Sequence, residues 1–285
     1  MLGVALSLLS AVLFGGMAIS LGFAVRRSRD AETGAFVTVF TGFLVCAAVA
    51  AVGREWGGDL VPFLLAGLLA PGGSQLLFVL AVREAGPARA SVIAGAAPLV
   101  AVTIAILALG EPLRAPLLVG AVLIVAGGLV LVAERVRPDS FRLIGLAFSF
   151  GCTVLFATRD NIVRWLSSDT TVSPQLAAAA TILSGATLMF LYLVVTRRAR
   201  LAADLRREAL PFVLPGALWG ASYASLFEAF YRARVSVVSP LVATESLIAV
   251  LLAVVLLRRT ELVGRHLVLG AVLVVTGGAL IGAFR

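Results

Sequence analysis

The sequence predicts an all-α polytopic membrane protein, with ten transmembrane helices arranged as two inverted five-helix repeats. Three observations carry that expectation. Hydrophobic residues make up 61% and charged residues only 13% of the 285-residue chain, and mean hydropathy is +1.08; a soluble domain carries about 25% charged residues. Ten apolar runs approach the roughly 20 residues that a span needs. A nonapeptide also recurs, as GAVLIVAGG at Gly120–Gly128 and GAVLVVTGG at Gly270–Gly278, with seven of nine positions identical.

The recurrence extends beyond the nonapeptide. Each copy has a glutamate nine residues upstream, Glu111 and Glu261, and each glutamate follows an apolar run, 94–109 and 241–257. Further upstream, PFLLAG at Pro62–Gly67 resembles PFVLPG at Pro211–Gly216, and Arg83 falls opposite Arg232. A run, a glutamate and a nonapeptide repeating together at one offset argue for internal duplication. The expected units are residues 1–136 and 137–285.

The spans run roughly 2–25, 34–52, 60–82, 88–109, 115–133, 141–163, 174–196, 210–231, 235–257 and 263–283. In lipid every backbone group must be paired internally, so each span is a helix; the alternation of a barrel strand is absent. Leu2–Val25 lacks a basic leader and a small-residue cleavage site, so it reads as a retained first span. The longest polar connection, Arg197–Ala209, reads as a surface helix. Pro71-Gly72-Gly73 interrupts the third span, Pro98 the fourth, and Pro240 lies near the start of the ninth. Proline removes a helical donor and kinks the rod. Small residues four apart (Gly216 and Gly220, Gly278 and Gly282, Ser7 with Ala11 and Gly15) mark close helix approach. Five spans per half is an odd number. The second half therefore enters the membrane from the opposite side, the inverted-repeat architecture of many secondary transporters.

All 23 basic residues are arginine, and they punctuate the apolar runs. Their +8 balance is accounted for by topology, and no nucleic-acid partner is expected. Seven arginines fall on the side of the termini and sixteen on the other, which by the positive-inside rule places both termini outside the cytoplasm. Cys46 and Cys152 sit inside apolar runs, so a disulfide framework is not expected. His266 is the only histidine, so neither a metal site nor a cofactor is expected.

Polar groups inside the spans are the candidate functional residues. Glu245 lies eleven residues after Arg234 and thirteen before Arg258, with Leu241 and Ala249 as its helical neighbours. A lone carboxylate at that depth costs roughly 2.5 kcal/mol or more. It is expected to be protonated or to pair across helices, and it is the candidate for substrate binding and proton coupling. Arg159, Asp160 and Asn161 interrupt the sixth span, and aligning Gly3 with Gly145 puts Arg159 opposite Met17. The spacing pairs Asp160 with Arg164 and leaves Arg159 without a helical partner. An arginine facing a cavity suits a carboxylate or phosphate; the alternative is that the helix ends near Thr158 and Arg159 reaches the interface. Asn161 is a candidate substrate contact. Glu228 and Arg232 are spaced for a structural ion pair, with Ser225 on their face. Trp219, Tyr223 and Phe230 share another face of that helix, as packing or as a binding wall. Ser74, aligned with Tyr223, and Gln75 follow the Pro-Gly-Gly break, where freed carbonyls face a cavity in many transporters. Glu111 and Glu261 lie at span ends beside Arg114 and Arg265 and read as interfacial. No nucleophile–base pair, phosphate loop or carboxylate dyad appears.

The LALGE stretch at Leu107–Glu111, with Pro98 thirteen residues before Glu111 and Gly120–Gly128 after it, resembles the EamA-type branch of the drug/metabolite transporter superfamily. Leu256–Glu261 and Gly270–Gly278 repeat the pattern. Two departures stand out: Ile248 where Pro98 would align, and Arg258-Arg259-Thr260 ahead of Glu261. The resemblance implies a multi-pass protein of the cytoplasmic (inner) membrane, with both termini inside, against the arginine tally. It implies a secondary transporter, not an enzyme, that moves a small polar or amphipathic metabolite, amino acid-like or an organic anion, by alternating access. A proton is the candidate coupling ion, and the partners are the small-molecule substrate and the lipid bilayer. The competing readings are a membrane-embedded enzyme acting on a lipid-linked substrate and a non-transporting sensor or assembly partner.

Overall fold

The computed structural model describes residues 1–54, 56–100, 103–104, 115–133, 141–197, 200–257 and 264–284. Glu111, Arg114 and Glu261 lie outside them. The described residues build an all-α bundle. Its helices are α1 (Leu2–Arg27), α2 (Ala31–Val52), α3 (Val61–Gly67), α4 (Ser74–Ala85), α5 (Pro87–Ala94), α6 (Ala115–Val132), α7 (Ile144–Leu166), α8 (Pro174–Arg197), α9 (Leu201–Arg232), α10 (Val235–Ala243), α11 (Glu245–Leu256) and α12 (Arg265–Phe284). Local chemistry sets several boundaries. Asp30 caps α2, accepting from the amides of Glu32 and Thr33 and from the Thr33 hydroxyl. Gly86, at φ 88°, ends α4 in a conformation that disfavours side chains.

Six helices among the described residues are long and apolar enough to cross a membrane: Leu2–Arg27, Ala31–Val52, Val61–Ala85, Pro174–Arg197, Leu201–Arg232 and Val237–Leu256. Pro87–Val100, Leu118–Leu131 and Arg265–Ile281 are apolar but shorter. α7 is long, but it carries Arg159, Asp160 and Arg164. The chain is therefore a multi-pass, all-α membrane protein.

The Arg-rich stretch after Arg197 corrects an expectation. Residues 201–209 of it are the first part of α9, which runs unbroken for 32 residues, and not a separate surface helix. Arg207 pairs with Asp204 at 3.2 Å and with Glu208 at 2.9 Å, which satisfies the carboxylates of that segment. The expected break at Pro71 is present: Leu68–Gly73 forms a wide π-type turn in which Ala70 is extended. The other two breaks fall beside their prolines. In the fourth span the helix turns at Gly95-Ala96, in the turn before Pro98, where a proline ring crowds the chain. In the ninth, Pro240 sits within α10 and the tightened turn is at Thr244. There the Thr244 hydroxyl donates to the Leu241 carbonyl at 2.6 Å and the Ser246 hydroxyl to Ala243 at 2.9 Å. Such back-bonding bends helices.

Helix pairs come in reciprocal sets. α1 packs on α9 and α7 on α4; α2 packs on α9 and α8 on α3. The small residues at these crossings match. Gly3 meets Ala233 and Gly145 meets Ala85; Gly67 meets Thr181 and Gly216 meets Thr38. The two nonapeptides lie against each other antiparallel, Gly120 facing Gly277 and Gly127 facing Gly270. A Cβ on Gly277 would lie 2.5 Å from the Gly120 carbonyl oxygen, so only glycine permits that approach.

Candidate functional site

One face of α7 carries Ser149, Cys152, Phe156 and Arg159 at helical spacing, and one face of α9 carries Trp219, Tyr223, Phe227 and Phe230. Both faces point inward. Ser149 Oγ donates to the Ala90 carbonyl at 2.6 Å, tying α7 to α5. Between these helices, α1, α4, α5 and the α10–α11 turn lies a small cavity. Phe14, Phe78, Phe156, Tyr223 and Phe230 supply aromatic wall, and Arg159, Asp160 and Glu245 supply charge. Phe230 ends the α9 stripe and Val238 begins the α10 contribution. The cavity is thus displaced toward the face that holds the start of α1 and the end of α9.

Arg159 is fully buried. α7 continues to Leu166, which excludes the alternative that the helix ends near Thr158. Its guanidinium carbon lies 4.6 Å from the centroid of Tyr223, 5.2 Å from Phe156 and 5.4 Å from Phe227. Such contacts strengthen when desolvated. Trp219 extends the aromatic set, with its ring 4.2 Å from that of Tyr223 and against Gly42.

The expected pairing of Asp160 with Arg164 is corrected. Asp160 Oδ1 lies 2.9 Å from Arg159, its neighbour in sequence, while Arg164 donates to the Phe230 carbonyl at 2.6 Å and to Ser167 Oγ at 3.4 Å. Adjacent helical residues point apart, but the long arginine side chain curls back to its neighbour under the aromatic lid. The contact is ionic without hydrogen-bond alignment: Asp160 Oδ1 and all three guanidinium nitrogens are buried with no hydrogen-bond partner among the described residues.

Glu245 is the first residue of α11, directly after the Thr244 turn, and is 5% exposed. It lines the same cavity as Arg159, Asp160 and Tyr223. The other expected contacts are placed differently. Ser74 and Gln75 are fully buried at the start of α4 and do not line the cavity. The Ser74 hydroxyl, both Gln75 amide atoms, the Trp219 indole N–H and the Tyr223 hydroxyl all lack hydrogen-bond partners among the described residues. Asn161 donates to the Ala157 carbonyl of its own helix at 2.8 Å and is not a cavity residue. Glu228 and Arg232 form an i,i+4 ion pair, and Gln175 Nε2 donates to Glu228 at 3.2 Å. Phe14, Phe78, Cys152 and Phe156 escaped the sequence reading because an aromatic or thiol inside an apolar run resembles a lipid-facing residue. The one available signal was the i,i+3 spacing of Phe156 and Arg159.

The opposite face carries ion pairs between helix ends. Glu84 pairs with Arg83 at 2.7 Å and with Arg142 at 3.5 Å, and the Arg142 amide donates to the Glu84 carbonyl at 2.7 Å. Arg197 reaches Glu32 at 3.3 Å and Asp30 at 3.9 Å. The Arg29 amide donates to the buried Glu208 at 3.3 Å.

The profile of the EamA-like transporter family matches residues 1–133 and, separately, residues 143–283. A solved crystal structure of a protein 22% identical to this chain superposes with a TM-score of 0.62, over 95% of this chain and 96% of that one. At that identity the likeness concerns the fold alone. No curated protein matches the sequence.

Proposed function

The chain belongs to the EamA-like transporter family, and from that premise we propose that it carries a small amphipathic metabolite by alternating access through the cavity between α7, α9 and α11. Members of this family are transporters of small molecules and not enzymes. The observation that carries the proposal is the meeting of Arg159, Asp160, Tyr223 and Glu245 in one cavity, with the opposite face held by ion pairs around Glu84 and Arg197. Those features suit a state accessible from one side only.

The proposed frame is ten spans in two inverted five-helix repeats, 1–136 and 137–285. The reciprocal crossings Gly3–Ala233 with Gly145–Ala85, Gly67–Thr181 with Gly216–Thr38, and Gly120–Gly277 with Gly270–Gly127 support it. A two-fold axis in the membrane plane exchanges such pairs. Glu245 is the proposed coupling residue, exchanging a proton as the cavity changes sides, in the cytoplasmic membrane.

The test is flux in proteoliposomes. Uptake is expected to saturate and to depend on an imposed proton gradient, and Glu245→Gln is expected to abolish gradient-driven accumulation. If the variant kept the pH dependence of the wild type, Glu245 would have no coupling role. A C-terminal reporter that fluoresces only in the cytoplasm is expected to stay dark, as the arginine tally requires; bright cells would reverse the orientation.

A further inference from the structure

The cavity lining holds two carboxyl groups and one basic side chain among the described residues. Arg159 is the one basic side chain among the described residues that line it, and Asp160 already sits 2.9 Å from it. The guanidinium is fully buried under Phe156, Tyr223 and Phe227. It is therefore compensated and covered, a poor grip for an incoming carboxylate. Glu245 lines the same space with no basic partner left among those lining residues. Its own helix offers none, since Leu241 and Ala249 flank it one turn away. Of the segments packed on α11, α1, α5 and the turn after α5 contribute Phe14, Ala94 and Ala97 to the cavity, none of them charged.

A carboxyl that gives up its proton as a cation enters, facing a cavity walled by aromatic rings, is an ammonium site. The carboxylate supplies the counter-charge, and the negative faces of the rings supply a second attraction. Phe14 stands at the junction of the wall, 5.8 Å from Phe78 and 6.2 Å from Phe156, both at steep angles. We infer that the substrate bears an ammonium group on an apolar body, with the ammonium at Glu245 and the body against the rings of Phe14, Phe78 and Phe156. This rests on the transport reading above and narrows its substrate class from small amphipathic metabolites to amines. Arg159 and Asp160 hold Tyr223 and the α7 wall in place and do not take the substrate's charge.

The experiment uses matched triads: an amine, the alcohol and the carboxylate on each of three bodies, phenyl, indolyl and linear hexyl. Binding to purified full-length protein is measured by calorimetry, and transport in proteoliposomes with the same compounds. The amine of at least one triad is expected to bind about tenfold or more tightly than its alcohol and its carboxylate. Glu245→Gln is expected to remove that preference, and Glu245→Asp, which keeps the charge, to retain most of it. An unchanged thermal unfolding midpoint guards against a misfolded Glu245→Gln; if that variant is unfolded, the Glu245→Asp comparison and the triads on the wild type decide. A preference for the carboxylate, equal binding across every triad, or no binding by any amine overturns the inference. Saturable flux with a carboxylate preference would overturn the amine site and leave transport standing. Amine-selective binding without flux would do the reverse.

Discussion

Where the N-terminal half places Met17 in α1, the C-terminal half places Arg159 in α7; where one has Ser74, the other has Tyr223. At the offset of the two nonapeptides, Glu245 falls opposite Gly95. Among the described residues, every charged residue that lines the cavity comes from the C-terminal half, and the N-terminal half contributes Phe14, Phe78, Ala94 and Ala97. The crossings behave otherwise. Gly67 and Gly216, Gly3 and Gly145, Gly120 and Gly270 keep the same residue and the same kind of partner. The difference has a physical cause. A backbone crossing has no room for a Cβ, so both copies must stay small. A cavity position has open space in front of it and tolerates a new side chain at little packing cost. The two proposed halves therefore share a scaffold and differ where they line the cavity.

Substitutions at three places test that division. The largest effect is expected for Arg159→Ala, which leaves the partly buried Asp160 beside the cavity without its counter-charge. Removing one partner of a buried pair costs about 3–5 kcal/mol. Thermal unfolding in detergent should show a large fall in midpoint, and the double substitution Arg159→Ala with Asp160→Ala should recover most of it. Were the single variant as stable as wild type, the two charges would not be a pair. A smaller effect is expected at the shared scaffold. Gly277→Ala puts a methyl 2.5 Å from the Gly120 carbonyl oxygen, and Gly120→Ala puts one 2.7 Å from that of Gly277. Each should cost about 1–3 kcal/mol, and the two costs should agree. Unequal costs in the same unfolding assay would break the equivalence of the copies. The smallest effect is expected for Glu228→Gln. Its partner Arg232 has a side chain 49% exposed, and such pairs contribute about 0–1 kcal/mol. Unchanged stability and transport would keep this pair outside the site.

Much of the fold is legible in the sequence, because lipid leaves few choices. Apolar runs must be helices, and a repeated nonapeptide in an all-apolar context marks a repeated span. Glu245 and Arg159 were legible for the same reason, since a charge inside such a run has to be accounted for. Two kinds of detail were not legible. Partners across helices depend on side-chain reach: Asp160 was assigned to Arg164 by spacing, yet Arg159 curls to it and Arg164 goes to the Phe230 carbonyl. Bend positions depend on hydroxyl back-bonding as well as proline, so the turn at Thr244 lay beyond the Pro240 signal. The aromatic wall was hidden because Phe14 and Phe78 look the same in sequence whether they face lipid or substrate.

The antiparallel contact between α6 and α12 has a consequence for how this protein can vary. Gly120 touches Gly277 and Gly277 touches Gly120, so the two positions are one steric site written twice in the gene. A change at either uses the same free space, and their costs cannot add as those of distant sites do. Once one has grown, the second change meets helices already pushed apart and costs less. The double substitution should therefore be milder than the sum of the singles, a coupling between codons more than half the chain apart.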